Sequence, residues 1–179
     1  MISIQRHDVY RAVLPLAGGR ALPAGWEIRQ LSAEECDAAA GWETSGRAYY
    51  TDWERLGASC YIGVVGSAVA FRTWLCDRRE MMAAVLPWLR RADRIVYVFD
   101  VEVLPEFRRQ GIAVGFIGAL LRSSEWQSHT AYARVEVQNA ASKAMFRTLG
   151  FRSEERLVEL RILGRRVAWW RRPPLEDAE

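Results

Sequence analysis

Lysine is almost missing from this chain: Lys143 is the only one, so nearly all positive charge is carried by arginine. Arginine spread along 179 residues, with a formal net charge of only +3, lacks the concentration of a nucleic-acid groove. The denser groups, Arg90, Arg91 and Arg94, then Arg165, Arg166, Arg171 and Arg172, read as solvated surface. No nucleic-acid partner is expected. Cysteine is scarce too, and Cys36, Cys60 and Cys76 are odd in number and widely spaced. That excludes a disulfide framework and a zinc site of closely spaced ligands, and leaves reduced thiols. With only His7 and His129 besides, no metal is expected. No apolar run reaches the roughly 18 to 20 residues that span a bilayer. Residues 1–11 alternate polar and apolar and lack the continuous apolar stretch of a secretory signal. The expectation is a cytoplasmic protein without a membrane partner.

What is present is ordinary globular usage, 50% hydrophobic and 26% charged, in a length that fills one core and not two. Residues 1–25 read as an N-terminal arm or edge strand, residues 26–172 as one domain, and residues 173–179 as a disordered tail. Within the domain the pattern predicts a strand over 26–31 and a helix from Ser32, with its early acids, to about Trp42. Residues 43–58 suit a short helix with loops. Two β-rich runs, 60–65 and 68–75, flank the turn signal Gly66-Ser67. A helical run over 78–92 must break or kink at Pro87. Helices are predicted over 113–122 and from the Asn139 cap to 149, ended by Gly150, with a strand over 131–137 between them. A hairpin of 157–163 and 166–170 follows. Strands and helices alternate, so the class is mixed α/β.

The strand over 94–103 is the most informative. Ile95, Tyr97, Phe99, Val101 and Val103 alternate with Val96, Val98, Asp100 and Glu102, so that one face stays apolar while the other changes from apolar to acidic. Such a strand belongs in the middle of a sheet and opens into a crevice. The segment after it, residues 103–113, puts successive backbone N–H groups at a helix N-terminus, where free donors and dipole both favour an anion. Gly111 permits close approach, Ala113 is small, and Arg108 or Arg109 adds charge. The same residues suit either a pyrophosphate cradle or an ordinary strand-to-helix loop with surface arginines.

Two motifs lie in order along this half. Val103 and Pro105 end the strand, and Arg108, Gly111 and Ala113 follow in the loop. Then come Asn139, Ser142, Phe146, Gly150 and Phe151. Together they resemble the acetyl-CoA signature and the second motif of the GCN5-related N-acetyltransferases, over about residues 95–151. The resemblance implies a splayed, mostly antiparallel mixed sheet flanked by helices, with acyl-CoA inserted where the central strand and its neighbour diverge. It implies that the Val101 N–H faces the thioester carbonyl and that Val103 pairs with the pantetheine arm. The loop of Arg108, Arg109, Gln110, Gly111, Ile112 and Ala113 would hold the pyrophosphate. Asn139 would lie near the pantetheine or serve only as a helix cap. Acetyl-CoA is thus the implied co-substrate, and the implied activity is N-acetyl transfer to the amine of a small metabolite.

That chemistry needs a neutral amine, a polarised carbonyl and a stabilised thiolate, and positioning with oxyanion stabilisation supplies much of it. Asp100, Glu102 and Glu136 are the candidate bases, each weighed against a role as a salt-bridged or surface residue. Many family members carry Tyr in the second motif to protonate the thiolate; this chain has Phe146 there. The acceptor of such enzymes enters beside the N-terminal helices, where Trp42, Tyr49, Tyr50 and Trp53 would form an aromatic wall or else part of the core. Two other readings stand beside acetyl transfer: transfer of a longer acyl group from CoA or a carrier protein, and a CoA-binding module without turnover, motivated by Phe146. A homodimer is compatible with all three.

Overall fold

The computed structural model describes residues 2–16, 22–31, 47–89 and 91–173. The helix expected from Ser32 to Trp42, which carries Cys36 and the candidate Trp42, lies outside the described residues, as do Arg90 and the tail from residue 174. In chain order the described elements are β1 (Ile2–Val13), β2 (Trp26–Leu31), α1 (Arg47–Arg55), β3 (Ser59–Val65), β4 (Ala68–Cys76), α2 (Arg79–Val85), β5 (Ile95–Val103), α3 (Ile112–Leu121), β6 (Thr130–Glu136), α4 (Ala140–Thr148), β7 (Arg152–Ile162) and β8 (Arg165–Arg172). They make one eight-stranded sheet of order β2-β3-β4-β5-β6-β1-β7-β8. Its neighbours are antiparallel except β5 and β6.

Local signals account for most boundaries. α2 ends before Pro87, which starts a separate three-residue turn of 3-10 helix because proline offers no N–H to continue the ladder. Asn139 Oδ1 accepts the Ser142 N–H at 3.0 Å and so caps α4. The β3–β4 turn is Gly66-Ser67 as expected, since Val65 pairs with Ala68. The last turn falls one residue early, on Leu163-Gly164, with φ of 50° and 79°; two left-handed residues suit a two-residue hairpin.

Each face of the sheet carries its own core. On one face α3 and α4 bring Phe116, Ile117, Phe146 and Leu149 against Phe71, Val96, Val98 and Ala133. On the other, α1 and α2 bring Tyr50, Met81, Met82 and Leu86 against Trp74, Tyr97, Tyr132 and Val9. Burial on both faces makes the middle strands nearly continuous apolar runs.

Two expectations need correction. Residues 2–13 are neither an arm nor an edge strand: β1 pairs with β6 from His7↔Glu136 to Val13↔Thr130 and with β7 from Ile2↔Ile162 to Arg11↔Arg152. Interior placement follows from its two-sided burial, Val9 and Tyr10 having no exposed surface. It also follows from ion pairs that lock the strand to its neighbours, Asp8 to Lys143 at 2.6 Å and to Arg156 at 2.7 Å. The second correction concerns β5, whose alternation is not continuous. Arg72 pairs with Glu102 but Trp74 with Phe99, so one extra residue sits in β5, and Asp100 takes a left-handed φ of 49°. This bulge reverses the strand's facing. Phe99 packs on the α1/α2 core and Val101 and Val103 on the α3/α4 core, and the two acids turn to the α1/α2 side, away from Val96 and Val98.

The β1–β6–β7 junction sets an acid limit on stability. His7 is lowered from 6.5 to about 4, chiefly by burial and then by the Arg134 guanidinium, whose Nη2 lies 3.1 Å from its Nδ1. Between those values the unfolded chain takes up a proton that the folded chain refuses, so stability falls as pH falls from 6.5 towards 4. The expected result is a melting temperature that declines across this window in the parent and is flatter in His7→Gln. An equally steep decline in the variant would assign it to other groups.

Candidate functional site

β5 and β6 run side by side only from Ile95↔Thr130 to Val98↔Ala133. Beyond Val98 the bulge carries β5 one way while β6 ends at Glu136 and turns into α4. The backbone of β5 on this side is therefore left facing a gap. Two hollows meet there, since Val101, Asn139 and Ser142 line both.

The first hollow, about 610 Å³, lies on the α3/α4 side. β5 supplies Val101, Glu102 and Val103, the following turn Arg108, Arg109 and Gly111, the first turn of α3 Ile112 and Ala113, and α4 Asn139, Ser142 and Met145. Gly111 sits immediately before α3 at φ 75°, with no atom within 4 Å of where a Cβ would stand. The first hydrogen bond of α3 is Gly115 N–H to Gly111 O at 2.9 Å. The N–H groups of Ile112, Ala113 and Val114 therefore have no helical acceptor and point out of the helix start. Arg108 folds back, its Nε donating to Val103 O at 2.9 Å, which fixes the turn while its charge stays at the rim. Gln110 does not line the hollow; its amide donates to Glu106 O. A mouth of free N–H groups with two arginines, opening on a gap beside an unpaired strand, fits an anionic, extended ligand.

The second hollow, about 370 Å³, lies at the inner end of the gap and is lined among others by Phe99, Asp100, Arg134, Glu136, Ser142 and Phe146. All three candidate bases thus stand at the gap, but in different states. Arg72, with no exposed surface, holds Asp100 at 2.9 Å and Glu102 at 2.8 Å through Nη2. Tyr49 donates its hydroxyl to Asp100 Oδ2 at 2.5 Å. Burial, and then that bond, push the Tyr49 phenol up from its ordinary value. Arg134 is likewise engaged, with Glu159 Oε2 at 3.0 Å and Val85 O at 3.1 Å. Glu136 is exposed and accepts from the Gln138 amide at 3.4 Å.

The aromatic residues fall elsewhere. Tyr50 has no exposed surface and, with Trp74, is core. Tyr49 and Trp53 pack edge-on to each other, and Trp53 against Phe99 at 4.8 Å. None of these three lines either hollow, so the expected aromatic wall is, in its described part, packing beneath the acids. The reason is the charge of Arg72, which burial would oppose but for Tyr50, Asp100 and Glu102; Tyr49 and Tyr50 cover it, their ring centroids 5.7 and 5.9 Å away. Sequence reasoning missed Arg72. Its signal was a single arginine inside the apolar strand Ala68–Cys76, where a charge requires a buried partner.

Residues 75–161 match the family model described as FR47-like protein. Among solved structures the fold is similar to an acetyltransferase from the GNAT family of Colwellia psychrerythraea, at 15% identity and a TM-score of 0.64, covering 88% of this chain and 56% of that one. It is similar to a putative GNAT-family acetyltransferase of Novosphingobium aromaticivorans, at 17% identity and 0.61, covering 87% and 63%. It is also similar to a tandem GNAT protein from the clavulanic acid biosynthesis pathway, at 18% identity and 0.60, covering 98% and 55%. This chain spans between half and two thirds of the length of each of these proteins. No curated protein matches it.

Proposed function

From a chain with the fold of the GCN5-related N-acetyltransferases, matched over residues 75–161 by the FR47-like model, we propose an acyl-CoA-dependent N-acyltransferase that moves an acetyl group to the amine of a small metabolite. The observation that carries this reading is the gap between β5 and β6, with the free N–H groups of α3 at one end and a carboxylate-lined hollow at the other. The residues fit acyl-CoA. Ile112, Ala113 and Val114 offer N–H groups to a pyrophosphate, with Arg108 and Arg109 beside them, and the open space at Gly111 lets the phosphates approach. Val103 pairs with the pantetheine as an added strand would, and the Val101 N–H polarises the thioester carbonyl. Acyl group and acceptor share the second hollow, about 370 Å³ and lined in part by Phe99 and Phe146; so small a volume favours a short acyl chain.

The acceptor amine arrives protonated and must lose a proton before it attacks. Asp100 and Glu102 are both held by Arg72, and Tyr49 adds a hydrogen bond to Asp100, so their oxygens are already engaged. Glu136 faces the same hollow without a cation bound to it among the described residues. We assign it the proton, taken directly or through water. The test of the reading is a rise in melting temperature with acetyl-CoA together with thiol release on a panel of amines; no thermal shift at millimolar CoA would overturn it. For the base, Glu136→Gln is expected to lower turnover at pH 7 by about 10²-fold, with a deficit that shrinks as pH rises and neutral amine becomes abundant. Asp100→Asn should cost less. A larger loss in Asp100→Asn, with folding and CoA binding intact, would return the role to Asp100.

A further inference from the structure

We propose that Ser142 is the catalytic residue that receives the departing thiolate, an assignment that rests on the acyl-CoA reading above. The thiolate must be met by a donor as the C–S bond breaks. Among the described residues that line either hollow, Ser142 carries the only hydroxyl, and it lines both, which puts it where they join. Its backbone N–H is taken by Asn139 Oδ1 at 3.0 Å, while no hydrogen bond of its hydroxyl to a described residue is present. It stands in the first turn of α4, where unpaired N–H groups favour negative charge.

Other hydroxyls near the gap are spent or shut away. Tyr49 donates to Asp100 and Thr73 to Phe99 O at 3.1 Å. Tyr10 is fully buried and stacks behind Phe146, ring centroids 6.1 Å apart, without reaching either hollow. Phe146 itself, one helical turn after Ser142 and on the same face of α4, lines the second hollow but has no proton to give.

The step balances without any further reagent. Glu136 takes the first proton and the neutral amine attacks, forming the N–C bond. The C–S bond breaks and its electron pair leaves on sulfur. The second proton, given up by nitrogen as the amide forms, passes to Ser142 Oγ, which gives its own proton to sulfur in the same motion. Serine is therefore unchanged and the free thiol departs.

Two measurements on the whole chain test this. In the first, CoA is bound and its thiolate titrated by ultraviolet absorbance. A hydrogen bond from Ser142 together with the helix start should hold the bound thiol about one pH unit below the value that CoA shows free in solution. Ser142→Ala should return most of that shift while CoA still raises the melting temperature, and Ser142→Thr should keep it. In the second, Ser142→Ala should release thiol from acetyl-CoA about tenfold more slowly with CoA affinity unchanged. Adding Phe146→Tyr, which puts a hydroxyl one turn along, should restore most of the rate and of the thiol shift, a rescue that a merely structural serine would not show. A bound thiol that titrates at the same pH in parent and Ser142→Ala, or parental turnover in that variant, overturns the role of Ser142 and leaves the acyltransferase reading standing. Loss of CoA binding in Ser142→Ala alone makes it a binding contact and also overturns the role. A parent that binds no CoA overturns both.

Discussion

Gly111→Asp is expected to fold and to lose its response to CoA. The substituted residue meets no protein atom, because nothing lies within 4 Å of the Cβ position. The left-handed φ of 75° is strained for most side chains, but Asp tolerates it at a cost of roughly 1 kcal/mol, and an acid before a helix is a good cap. Its carboxylate would occupy the N–H groups of Ile112 to Val114 and present a negative charge where the pyrophosphate must come. A ligand at 100 times its dissociation constant stabilises the parent by about 2.7 kcal/mol. For a chain of this size that is a thermal shift of roughly 5 to 11 °C. In the variant the shift should vanish while the melting temperature without ligand stays within a few degrees of the parent. Gly111→Ala, which adds the same strain without the charge, separates the two causes and should keep most of the shift. CoA binding to Gly111→Asp at parental strength would mean that the anion is held elsewhere.

The cradle was legible in the sequence because its determinants are local. Pro105 ends a strand, Gly111 takes a conformation few residues share, and Asn139 caps a helix within three residues of itself. What was not legible depends on partners distant in the chain. Whether residues 2–13 lie at an edge or inside is decided by β6 and β7, more than 110 residues later on the pairing of His7 with Glu136 and Leu157. Residues 152–156 are polar and carried no strand signal, yet they pair with β1, whose backbone needs acceptors and donors on that side. The bulge at Asp100 is one residue in an unbroken β-favouring run, so alternation was carried through it and the acids were assigned to the wrong face. Fixing their facing required Arg72 opposite Glu102, a contact across 30 residues.

Arg72→Met should produce the largest loss of stability of any single change in the site. Arginine here has no exposed surface, and it pairs with two carboxylates whose side chains are only 25% and 15% exposed. Methionine fills much of the same volume and takes from Asp100 and Glu102 the cation that both of them bind. Removing one partner of a buried ion pair costs about 3 to 5 kcal/mol, or a fall in melting temperature of roughly 6 to 20 °C for a chain of this length. The cost comes from uncompensated charge and not from lost packing, and a further variant separates these. Replacing the acids as well, in Arg72→Met with Asp100→Asn and Glu102→Gln, should recover much of the loss, since the three residues act as one network and their effects do not add. The rebuilt network also bears on catalysis. If Glu136 is the base and the acids beneath serve to hold the bulge of β5 in shape, the triple variant should regain turnover with its stability; if it folds well and stays inactive, the Arg72-bound carboxylates take part in the chemistry and the proton does not go to Glu136 alone.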